Sequence, residues 1–119
     1  MFKKLALFGA LVAGLAVPVQ AQTVKRHGPG GGTGLKPKVF GIKATASSSY
    51  GRGYMPEDAL GKPNIFPRYG DQKGAWTCKS KTSKSDWLEV EFPPTMATHL
   101  IVYETERAGA ITKVVVQGR

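Results

Sequence analysis

The sequence predicts an all-β domain, a β-sandwich, on three observations. Leu88, Val90 and Phe92 alternate with Glu89 and Glu91, the period of two of a half-buried strand. Two later runs read as strands: THLIVYE from Thr98 to Glu104, nearly continuously apolar as suits a strand buried on both faces, and ITKVVVQ from Ile111 to Gln117. Nothing repeats, and no amphipathic helix of useful length separates these runs, which leaves the sandwich architectures.

The elements follow in order. Lys3 and Lys4 open the 119-residue chain, Leu5 to Val17 is uninterrupted apolar residue or glycine, and Val19-Gln20-Ala21 follows. That order reads as a secretory signal peptide over residues 1–21, with cutting expected after Ala21. The apolar run has 13 residues, short of the roughly 20 that cross a bilayer. No cysteine near the cut offers a lipid anchor, so the expected product is secreted, extracellular or periplasmic, with no membrane span. Losing 21 of 119 residues leaves 98, and two of the 17 basic residues go with them, so the formal charge falls from +9 to +7. A chain this small buries only about 60–65% of its unfolded surface, which sets one marginally stable domain as the ceiling. Cys78 is the single cysteine, so no internal disulfide compensates; an inert buried thiol is expected first, ahead of an intermolecular link or a leftover.

Gln22 to Lys38 (QTVKRHGPGGGTGLKPK) is glycine, proline and positive charge with almost nothing to bury, a flexible basic linker over 22–38. His27 within it lacks the companions a metal site needs. A strand is expected from Val39 to Ala46, with Phe40, Ile42, Ala44 and Ala46 on one face. Ser47 to Gly53 reads as a polar loop, and Met55 to Leu60 as one helical turn, Pro56 in its first turn and Glu57 and Asp58 at its positive end. Gly61 stops it. Lys62 to Gly74 reads as loop, Ala75 to Thr77 as a short strand, and Lys79 to Ser85 as a solvated basic turn. Pro93 and Pro94 are expected to end the Trp87–Phe92 strand, and Arg107-Ala108-Gly109 to turn the chain into the last one.

The chemistry these residues offer favours recognition over catalysis. Cys78 and His99 are the one nucleophile–base pair, and neither sits in a recognisable context. Glu57 and Asp58 are adjacent and point apart on a helical turn; Glu89 and Glu91 share one strand face and read as solvated sheet surface. The GPGGGTG run precedes a strand instead of following one, so it is no dinucleotide loop, and no zinc spacing or serine elbow occurs. The expected class is therefore non-enzymatic, with no cofactor. Tyr50, Arg52, Tyr54, Arg68 and Tyr69 are the candidate ligand-binding residues: flat rings beside fork-shaped donors on loops. Phe66 and Trp76 are assigned to the core. Lys25, Arg26, Lys36 and Lys38, with Lys79, Lys81 and Lys84, also suit an acidic polysaccharide or membrane surface. Nucleic acid is not an expected partner.

The segments ATASSSYGRGYMPEDALGKPN, GAWTC, DWLEVEF and HLIVYETERAGAITKVVVQ together resemble the galactose-binding-like superfamily, which includes discoidin and coagulation-factor type C domains. The matching elements are Ala46 to Ser48, Pro56 to Gly61, Trp76, and Trp87 to Phe92, and the resemblance runs from about Phe40 to Gln117. It implies a jelly roll over residues 39–119 that binds a carbohydrate or cell-surface ligand, or another exported protein, through loops at one end. It also implies structural calcium near Asp58 to Asn64, although Ala59-Leu60-Gly61 lacks the acid that the family places between Ala and Gly. Such domains have about eight strands, more than this sequence shows, so the domain is expected to be partial, either truncated at its C-terminus or completed by another chain, with an exposed Val114-Val115-Val116 edge.

Overall fold

The computed structural model describes residues 2–9, 19–22, 38–80, 85–95, 97, 99–106 and 109–118. The described residues are almost entirely strand and loop. β1 (Phe2–Gly9), β2 (Val19–Gln22), β3 (Lys38–Phe40), β4 (Lys43–Ala46), β5 (Asp86–Thr95), β6 (His99–Val102) and β7 (Ile111–Gly118) form two antiparallel sheets, in the orders β4-β5-β1-β7 and β3-β2-β6. The all-β class follows; residues 23–37 of the expected linker, Lys81 to Lys84 of the basic turn, and Arg107 and Ala108 lie outside the described residues.

The two inner strands come from the segment read as a leader. β1 pairs with β5 on one side and β7 on the other, and β2 lies between β3 and β6. In the intact chain, strand structure thus begins at Phe2 and not at Val39.

β5 organises the core. Leu88 and Val90 are fully buried and Phe92 nearly so, while Glu89 and Glu91 point the other way, as the alternation requires. Ala44, Ala59, Trp76 and Cys78 complete the buried cluster, with Val39, Leu100, Val102 and Ile111 packed around it from both sheets. On the opposite face Lys4 Nζ lies 3.2 Å from Glu89 and 3.4 Å from Glu91, and Lys43 reaches Glu91 at 3.7 Å. Those two carboxylates raise the Lys4 pKa.

Four expectations need correction. The Val39–Ala46 strand is two strands in different sheets, because the chain crosses over at Gly41 and Ile42. Gly41 is buried where a Cβ would run into Val90 Cγ1 and Leu60 Cδ2, and Ile42, whose N–H donates to the Glu91 carbonyl at 2.8 Å, swings out to 63% exposure. The second concerns β5, which passes through Pro93 and Pro94 to Thr95. Lys4 stands opposite Glu91 but Phe2 opposite Thr95, and the prolines fit inside that irregularity, where no ladder N–H is required. Third, β6 is an edge strand of the smaller sheet, half-buried beyond exposed His99 instead of buried on both faces. Last, Ala75 to Cys78 is buried but is not a strand; Tyr50 N–H donates to the Thr77 carbonyl (2.8 Å) and Thr77 N–H to the Tyr54 carbonyl (3.3 Å).

Pro56–Ala59 does form the single turn, of 3-10 type. Asp58 accepts a hydrogen bond from Met55 N–H at 2.8 Å, closing the turn's N-terminus. Gly61 leaves it at φ 76°, a left-handed conformation that favours glycine.

Candidate functional site

The Ala-Ser-Ser segment is scaffold. Ser47 and Ser48 hydroxyls donate to the same Asp86 oxygen at 2.6 and 2.8 Å, and the backbone N–H groups of Trp87 and Lys79 donate back to Ser47 (2.9 Å) and Ser48 (3.1 Å). Trp76 Nε1–H donates to the Ser48 carbonyl at 3.0 Å. Asp86 is buried, so its charge is stabilised by these donors. Cys78 sits beside it: burial first, then the Asp86 charge, pushes the thiol up to about 11. At neutral pH the thiolate is essentially absent, which leaves this cysteine a poor nucleophile.

This corner holds the loop that carries the first candidates. Tyr50 and Tyr54 rings meet edge to face at 5.4 Å; Tyr50 is 58% exposed, Tyr54 half-buried and Arg52 exposed. Burial and then the Asp71 carboxylate raise the Tyr54 pKa, so the phenol stays protonated, hydrogen-bonded toward Asp71. Gly74 N–H donates to the Gly53 carbonyl at 2.7 Å, tying the 50–54 loop to the end of the 62–74 loop.

The second loop is anchored at both ends and presents its rings outward. Ile65 is buried with Ala75, Arg68 N–H donates to the Ile65 carbonyl, and Gly70 N–H reaches the Thr105 carbonyl, both at 2.8 Å. Between these anchors Phe66 is 50% and Tyr69 73% exposed, so the core assignment of Phe66 is corrected. The short chain length between two pinned backbone groups turns that ring away from the buried Ile65. Arg68 is exposed and lies over its own loop, Nη2 to the Asn64 carbonyl at 3.4 Å.

Phe66 packs on Tyr103, centroids 5.0 Å apart, and the two line an open depression of about 360 Å³ with Phe40, Pro63, Lys38 and Lys62. None of the five sequence-derived candidates lines it. Tyr50 and Tyr54 are brought together, Tyr54 also meets Asp71, and Arg68 and Tyr69 stand on the same loop as Phe66. Phe40 and Tyr103 were missed because each reads as strand core; the signal available was an aromatic at the end of each of two apolar runs. Thr105, two residues beyond Tyr103, is buried with its Oγ1 lacking a partner among the described residues.

Among the described residues no group of three or more His, Cys, Asp or Glu side chains is placed to hold a metal, and no helix is long and apolar enough to cross a membrane. No protein-family model, curated protein or solved structure matches the chain.

Proposed function

We propose that this chain is an exported, non-catalytic binding module of the galactose-binding-like kind, a jelly roll that holds carbohydrate or other cell-envelope material against its loops. The observation that carries the reading is the depression walled by Phe40, Phe66 and Tyr103 with lysines 38 and 62 on its rim. A pyranose has one face of C–H groups that lies against an aromatic ring and a rim of hydroxyls that accept from ammonium groups; acidic sugars add a carboxylate for the same lysines. In this reading Tyr50, Arg52, Tyr54, Arg68 and Tyr69 add contacts beyond the depression: Arg68 and Tyr69 share the loop of Phe66, and the 50–54 loop is tied to that loop's end by Gly74 N–H to the Gly53 carbonyl. The reading requires neither calcium nor another cofactor.

A glycan array with the exported protein tests it, neutral and acidic polysaccharides included. Binding that weakens about tenfold, or about 1.4 kcal/mol, in Phe66→Ala supports the depression as the site. An array with no retained sugar contradicts the proposal. A protein partner is the second reading, favoured by Val114 and Val116, which β7 leaves 45% and 56% exposed.

A further inference from the structure

We propose that the space between β5 and β7 is a strand-acceptor site, filled in the intact chain by β1 and, after export, by an extended segment of another exported chain. The proposal rests on the export reading for one point only, that residues 1–21 are removed. The rest comes from the sheet itself.

β1 is paired on both sides, Leu5 with Val90 and Val116, Ala6 with Glu89 and Val115, Leu7 with Leu88 and Val114. Among the described strands, β7 pairs with nothing else. A cut after Ala21 falls inside β2 and takes the inner strand from both sheets at once. Two rows of backbone donors and acceptors, on β5 and β7, then face each other one strand apart. Unpaired backbone edges of this kind recruit another strand.

The slot also selects its occupant. Residues directly opposite in a ladder share a face, so Val114 and Val116 continue the rows of Leu88 and Val90, which are fully buried. An incoming strand must therefore place apolar residues at alternate positions, those of Leu5 and Leu7. On its other face it meets Glu89 and Glu91, 3.2 and 3.4 Å from Lys4 Nζ in the intact chain. Without a cation there, two carboxylates on one strand face lose the ammonium they share, and Glu91 keeps Lys43 at 3.7 Å. The acceptor thus fits a segment reading cation, apolar, small, apolar, entering antiparallel to both neighbours, as Lys4-Leu5-Ala6-Leu7 does.

The test uses the full chain with a protease site inserted between residues 23 and 30, cut after folding. Three labelled peptides are added: the β1 sequence FKKLALFG, its Lys4→Glu form, and a scramble. Fluorescence anisotropy reads binding and hydrogen exchange reads the β7 amides. The β1 peptide should bind and protect β7, the Lys4→Glu peptide should bind at least about threefold more weakly, and the scramble should not bind. If cutting unfolds the chain, protection should return with the β1 peptide. Equal binding of all three peptides, or β7 amides that never respond to the β1 peptide, would overturn the acceptor site. Intact mass of the exported product separates the two readings. A product that keeps residues 1–21 overturns cleavage and the donated strand together, whereas a cleaved product whose cut form ignores the β1 peptide overturns the acceptor alone.

Discussion

Trp76 and Tyr69 lie in the same irregular stretch and end in opposite surroundings. Trp76 is 2% exposed, its indole N–H given to the Ser48 carbonyl; Tyr69 is 73% exposed at the tip of a loop pinned on either side. Their neighbourhoods differ in the same way. Around Trp76, each polar group among Ser47, Ser48 and Asp86 is held by a partner, and the apolar residues close over β5. On the loop of Tyr69, Phe66 also stands half in solvent. The same residue class thus builds the frame where it is buried, as Trp76 is, and offers a surface where a pinned loop holds it in solvent, as at Tyr69. An aromatic count cannot separate these uses; burial of the ring can.

The largest effects should fall on the frame. Leu88→Ala and Trp76→Ala each remove a fully packed side chain and should cost about 3–5 kcal/mol, read as a lowered midpoint in urea. Against a total stability of about 5–15 kcal/mol, either could leave the chain largely unfolded. Asp86→Ala should cost about 2–3 kcal/mol, because Ser47 and Ser48 lose a charged acceptor.

The same corner gives a pH dependence with a definite sign. The Cys78 thiol is raised to about 11 from 9.0, so between those values the folded chain holds a proton that the unfolded chain has released. Its contribution is complete below pH 9 and is lost as pH rises toward 11. Cys78→Ala should flatten that decline in a set of unfolding curves, and Asp86→Asn should bring thiol alkylation of the folded protein to lower pH. A smaller, opposite effect is expected at Thr105, whose buried hydroxyl lacks a partner among the described residues. Thr105→Val should stabilise by about 1 kcal/mol, a rise of about 4–8 °C in Tm for a domain of this size. At the far end of the scale, Tyr69→Ala and Tyr50→Ala should change stability by less than about 0.5 kcal/mol.

How much of this was legible in the sequence follows the range of the forces involved. β5 was readable because alternation at Leu88, Val90 and Phe92 is local and both faces are decided by the same strand. The helical turn was readable for a similar reason: Pro56, Asp58 and Gly61 act within six residues of one another. The split at Gly41 was not, since its cause is Val90, far along the chain. Nor was the depression, which takes Phe40 from the end of β3 and Tyr103 from beyond β6. The inner position of β1 was hidden for another reason, because a positive start followed by an apolar run satisfies the pattern of an export signal and that of a buried strand alike.

The most direct trial of the proposed division between frame and surface is one titration done twice. An acidic or neutral glycan selected on the array is titrated calorimetrically into wild type and into Phe66→Ala, Tyr69→Ala and Tyr50→Ala, with a urea curve for each. The account predicts weakened binding with unmoved midpoints. Unchanged binding in all three variants, or midpoints that fall with the affinity, would contradict it.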